Sequence, residues 1–119
     1  MKNLKMLYLN GDSATFESVE PTLENYYDLL KCDCIDITCI RFGGKRYDVI
    51  CDDEGLLKTP SHFSIISKEG YPMIAGNALI CLSQDGQEKG LSKDDIVRLS
   101  LSLAWTTQNN RAVAVIVAD

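Results

Sequence analysis

Hydrophobic and polar positions alternate at the start of the chain, where Leu4, Met6 and Leu7 to Leu9 read as a strand over residues 4–9. Asn10-Gly11 is a type I′ turn signal, which Asp12-Ser13 can lengthen, and alternation resumes over residues 14–19. The opening is predicted to be a β-hairpin. The pattern then changes period: Leu23, Tyr26, Tyr27 and Leu30 recur at helical spacing after Pro21, which predicts a helix over residues 21–31 with the proline in its first turn. A β-rich run over 34–40, a turn at Arg41-Phe42-Gly43-Gly44 and a returning strand over 45–51 predict a second hairpin.

Asp52-Asp53-Glu54-Gly55 reads as a tight acidic turn whose glycine can adopt a left-handed conformation. Residues 58–63 read as loop with Pro60 as breaker, and Lys68-Glu69-Gly70 as a further turn. Met73, Ile74 and residues 78–82 are strand-like, interrupted at Gly76-Asn77, and residues 84–90 form a polar loop. Ser92-Lys93-Asp94-Asp95 is a capping signature for a helix that turns Ile96, Leu99 and Leu103 inward. Val97, Leu99, Leu101, Leu103 and Trp105 also alternate as a strand would, and the cap decides for helix. Val113 to Val117, β-branched and apolar, predict a buried strand. Together these elements predict an α+β fold, a mostly antiparallel sheet of five to seven strands with two helices, in one domain over residues 1–119.

Composition narrows the function classes. The net charge of −5, from 17 acids against 12 bases, argues against a binder of duplex nucleic acid or of an anionic membrane. The longest apolar run, residues 112–118, is far short of the ~20 residues that span a bilayer. The amino-terminal residues lack the apolar core and cleavage site of a signal peptide, so a cytoplasmic location is expected. Five cysteines, Cys32, Cys34, Cys39, Cys51 and Cys81, are then expected to be free thiols. The spacing of Cys32, Cys34, Cys39 and Cys51 departs from zinc knuckles, and no metal or other cofactor is expected.

Two stretches carry a family resemblance. One is the acidic turn Asp52-Asp53-Glu54-Gly55 with the strand before it and Leu56-Leu57 after it. The other is Gly70-Tyr71-Pro72-Met73-Ile74-Ala75-Gly76-Asn77-Ala78 with Ile80 and Cys81. With the helix start at residues 91–96, they resemble the domain of unknown function 3846 family over roughly residues 1–103. The chain departs from that pattern in its extra cysteines, in Ser61-His62-Phe63-Ser64 and in the tail beyond Leu103. The resemblance implies an accessory protein of a phage, prophage or conjugative element, often encoded near anti-restriction and transfer genes. It implies no activity.

The residues themselves announce no catalytic set. His62, the only histidine, lies beside Ser61 and Ser64 but lacks a third group to orient it, and reads as a surface loop residue. The acidic turn breaks the calcium-loop pattern at Leu56, Leu57 and Lys58. No phosphate-binding glycine motif is present. The leading expectation is a non-enzymatic binding protein that blunts a host defence system, for example a CRISPR nuclease, by occupying a basic surface on its protein partner. Its contacts are expected from Asp33, Asp36, Asp48, Asp52, Asp53, Glu54 and the loop at residues 84–88. A second expectation, of another class, is a binder that sequesters a nucleotide signal through Arg41, Lys45 and Arg46. A third is a structural accessory that forms a homodimer by pairing the strand in residues 111–119 with another copy.

Overall fold

The structure, a computed structural model, describes residues 3–55 and 62–119. The described elements run β1 Leu4–Leu9, β2 Ala14–Val19, α1 Leu23–Leu30, β3 Ile35–Phe42, β4 Lys45–Asp52, β5 Phe63–Ile66, β6 Pro72–Ala75, β7 Ala78–Gln84, β8 Gln87–Lys89, α2 Lys93–Leu101, β9 Leu103–Gln108 and β10 Arg111–Val117. The fold is α+β. A six-stranded sheet has the order β2-β1-β7-β4-β3, with β8 pairing β7, and every pairing in it is antiparallel. A second, four-stranded sheet, β6-β5-β10-β9, contains one parallel pairing, β5 with β10.

Side chains alternate across a strand, so the inner strands of the larger sheet feed two cores. Leu7, Leu9, Phe42, Tyr47, Val49 and Ile80 face Ile65 and Ile116 of the second sheet and Leu99 of α2. Met6, Ile50, Leu79 and Cys81 face the other way, onto Tyr26 and Leu30 of α1. This double burial explains the unbroken apolar stretches Val49-Ile50-Cys51 in β4 and Ala78 to Leu82 in β7.

Local chemistry sets the boundaries. Thr22 caps α1, its Oγ1 accepting from Asn25 N at 3.3 Å, so Pro21 stands before the cap and not in the first turn. The β1–β2 loop is the lengthened one, since Asn10 Oδ1 accepts from the amides of both Asp12 and Ser13. Gly43 and Gly44, at φ 58° and 84°, make a two-residue turn between β3 and β4. A Cβ on Gly43 would stand 2.6 Å from Arg98 Cγ. Gly43→Ala is therefore expected to destabilise the protein by about 1–2 kcal/mol, the cost of a left-handed non-glycine residue, as urea denaturation would read it.

Several expectations need correction. The predicted polar loop at residues 84–90 is a hairpin, turning at Asp85-Gly86 with both residues at positive φ and β8 returning along β7. Helix α2 stops at Leu101, and Leu103 opens β9, because the chain turns at Ser102 from helical period to alternation. Gly55 is not left-handed; it is glycine because a Cβ there would lie 3.0 Å from the Ala75 carbonyl oxygen. Strand β10 lies between β9, which pairs with it along residues 111–116, and β5, which meets it at Ile116 and Val117. The predicted loop at 58–63 lies mostly outside the described residues, and Phe63 already belongs to β5.

Candidate functional site

The β3–β4 hairpin has a charge at each end. Its register pairs Ile35 with Asp52 and Asp36 with Cys51 at the open end, and Arg41 with Arg46 and Phe42 with Lys45 at the turn. Asp53 N donates to Cys34 O at 3.1 Å, which folds the acidic turn back beside Asp33. Five of the six expected partner-binding residues, Asp33, Asp36, Asp52, Asp53 and Glu54, thus converge at one end. Eight residues at ~3.3 Å each place them roughly 25 Å from the basic turn. Asp52 Oδ1 accepts from Glu54 N at 2.9 Å, fixing the acidic turn's shape. Asp48 stands apart, in mid-strand between Cys39 and Cys81 and half-buried.

A small cleft of about 170 Å³ opens at the acidic end, lined by Asp36, Asp52 and Asp53 and floored by Met73, Ile74 and Ala75 of β6. Cys51 lies in it. Burial, then the charges of Asp36, Asp52 and Asp53, push that thiol up to about 11, so it stays protonated at neutral pH. Carboxylates around an apolar floor suit a long cationic side chain, whose methylene stem rests on the floor while its head meets the acids.

A wider acidic groove of about 540 Å³ lies between the larger sheet and α1, lined by Glu17, Glu20 and Asp28 together with Tyr8, Thr15 and Asn25. Burial chiefly raises the Tyr8 hydroxyl; Asp28 and Glu17 add to this, while the bond from Asn77 opposes it. These acids were absent from the expected set, although Asn25, Asp28 and Leu29 share one helix side and Glu17 alternates with the core residue Phe16.

The remaining candidates have structural roles or none. Cys39 and Cys51 point to opposite faces of the hairpin, and Cys34 is exposed before β3. Among the described residues no group of three or more potential ligands could hold a metal ion. His62 is buried, 5% exposed, not a surface residue as expected: its ring packs under the β1–β2 turn, 3.0 Å from where a Gly11 Cβ would stand. Burial, then Arg111, lowers its pKa, against smaller raising effects of Asp12 and Gly76. Ser61 lies outside the described residues, and Ser64 is fully buried in β5.

Two of the three cations expected to bind a nucleotide, Lys45 and Arg41, are engaged internally, and Arg46 is exposed. Lys45 Nζ donates to Asp95 Oδ1 at 2.7 Å, and an Arg41 guanidinium N–H donates to Gly44 O at 3.0 Å. Asp95 is fully buried and is a hub: Oδ1 also accepts from Tyr47 OH at 2.7 Å, and Oδ2 from Ser92 N and Ser92 Oγ. Burial pushes its carboxyl up, but the donors from Lys45, Ser92 and Tyr47 outweigh that and hold it well below the usual carboxylate range.

The motifs that stood out in the sequence now have physical duties. Gly76-Asn77 carries the chain from one sheet to the other, and Asn77 Nδ2 donates to Leu29 O at the end of α1 at 2.9 Å. Residues 4–103 match the family described as Domain of unknown function (DUF3846). The chain belongs to this family. No curated protein and no solved structure matches it. In this DUF3846 chain the matched region stops at the first residue of β9, so β10, central to the second sheet, lies outside it. Among the described residues no helix is long and apolar enough to cross a membrane.

Proposed function

We propose that this protein is a non-enzymatic binding protein that occupies a basic surface of a protein partner, and that the partner is a nuclease or complex of a host defence system met by a phage or mobile element. The observation that carries this reading is the convergence of Asp33, Asp36, Asp52, Asp53 and Glu54 at one end of a rigid hairpin. Asp36 and Asp52 lie on the paired strands and the turn carrying Asp53 and Glu54 is bonded to them through Asp52 Oδ1 and Cys34 O, which lowers the ordering cost of engaging lysines and arginines. The mobile-element setting and the anti-defence role come from the family resemblance and rest on no contact in the fold. Reading the protein as a nucleotide binder through Arg41, Lys45 and Arg46 is weaker, since Lys45 is held by Asp95.

The test is a panel of purified defence nucleases, CRISPR effectors and restriction endonucleases, assayed for cleavage with wild-type protein and with a variant carrying Asp33→Lys, Asp36→Lys, Asp53→Lys and Glu54→Lys. Wild type is expected to inhibit at least one. Four rim charges at about 0.7 kcal/mol each should weaken that inhibition about 100-fold in the variant. Inhibition that is equal in both proteins, or absent in both across the panel, sinks the proposal.

A further inference from the structure

At the basic end of the same hairpin, two consecutive backbone amides converge on one carboxylate. Gly43 N donates to Asp119 Oδ1 at 2.9 Å and Gly44 N to Asp119 Oδ2 at 2.6 Å. Successive amides in a left-handed turn form a concavity with partial positive charge, an arrangement that holds phosphate and other oxyanions. The surroundings strengthen it. The Arg41 side chain bonds the turn itself through Gly44 O, and Arg46 stands directly across the ladder from Arg41. The charges of Lys68 and Arg41 reach the Asp119 carboxyl and help the two amides keep it ionised. On the side of Gly43 toward α2 a groove of about 420 Å³ opens, lined by Arg98, Val97 and Leu101 with Asp94 and Ser102, with room for a group attached to a bound oxyanion. Such a concentration of donors and cations is unexpected in a chain of net charge −5.

We infer that the Gly43–Gly44 turn is a binding site for a phosphate group, and that the Asp119 side chain is its internal occupant, which swings out when phosphate enters. The two carboxylate oxygens occupy the positions two phosphate oxygens would take. Asp119 is tethered independently of its side chain, because its backbone N–H donates to Arg41 O at 3.0 Å and that of Ala118 to Ile66 O. The side chain can therefore leave while the chain stays in place. This site is distinct from the acidic end and does not depend on the function proposed above.

The inference is tested by titrating inorganic phosphate into ¹⁵N-labelled wild type, Asp119→Ala and Asp119→Asn, following the Gly43 and Gly44 amide resonances. Both variants are expected to show saturable shifts at these two amides. Their affinity should be at least about tenfold above wild type, because an occupied cradle lowers apparent affinity by the fraction of time it stands open. Adding Arg41→Gln to either variant should weaken binding again. A parallel titration with adenosine monophosphate separates the two sources of phosphate. Tighter binding with added shifts at Val97 and Leu101 supports a phosphate carried on a nucleotide, and equal affinity supports free phosphate. The asparagine variant keeps the size of the side chain and serves if the alanine variant fails to fold. Absence of saturable shifts at Gly43 and Gly44 in the folded variants, or the same affinity in variants and wild type, overturns the inference and leaves Asp119 as a staple.

Discussion

Asp95→Ala is expected to cost the folded state about 2–4 kcal/mol, read from the shift of the urea midpoint at constant slope. Three losses combine. The helix α2 loses the carboxylate half of its capping box, the acceptor for Ser92 N and Ser92 Oγ, worth up to about 1 kcal/mol, while the amide of residue 95 still donates to Ser92 Oγ. Buried Tyr47 OH loses its acceptor, at about 1–3 kcal/mol for a stranded polar group. Lys45 and Arg98 lose their counter-charge, but both side chains are substantially exposed and water recovers most of that. Tyr47→Phe separates the second loss, since it removes the hydroxyl and leaves the carboxylate capped.

The same carboxylate gives a signed pH dependence. Its pKa is depressed in the folded protein, so its contribution is fully present above the unfolded value of about 4 and is lost as the pH falls through the lower folded value. Wild-type stability is therefore expected to fall in acid below about pH 4, with Asp95→Asn less stable at neutral pH and flatter on that acid limb. Parallel acid limbs for the two proteins would show that Asp95 is not the linked group.

Phe42→Ala should be as damaging, about 3–5 kcal/mol, because it empties a fully buried position between the two sheets. Its ring centroid lies 6.1 Å from that of Tyr47 at 47°, a tilted pair that helps close the turn end of the hairpin. Ile37, on the same strand but facing outward, is 46% exposed, and Ile37→Ala should cost under about 1 kcal/mol. Similar losses for the two substitutions would mean that the faces of β3 are misassigned.

Much of this architecture is legible in the sequence where the signal is local. Alternation placed β1 to β4, Ser92 and Asp95 placed α2, and the paired glycines placed the hairpin turn. The second sheet was legible only in part: Met73-Ile74 and residues 113–117 read as strands, but β5 and β9 did not. Strand β5 is four residues long, too short to show a period. The polar strand β8 alternates no apolar residues, so only Asp85-Gly86 betrays its hairpin. Leu99 to Trp105 fits two periods because it contains two elements, α2 and β9.

The candidate site divides the same way. The acids of one turn were visible as a cluster, and pairing with β3 was needed to bring Asp33 and Asp36 to them. Asp48 is close to these acids in sequence, but its place in mid-strand, opposite Cys39 and Cys81, sets it apart from them. Asp95 read as a cap and is one; its bonds to Lys45 and Tyr47, about 50 residues distant, leave no mark in a local pattern. The contact of Asp119 with Gly43 and Gly44 was invisible for the same reason.

The parallel pairing of Ile65 with Ile116 bears on how the protein is made. As the nascent chain emerges, β5 and β6 can meet at once, but the inner edge of β5 must wait some fifty residues for β10. At ~5–20 residues per second that wait is roughly 3–10 s. Ile65, which ends fully enclosed, faces solvent or a chaperone through that interval. Aggregation during synthesis should therefore begin at β5, and a slower ribosome should lengthen the window in which it can.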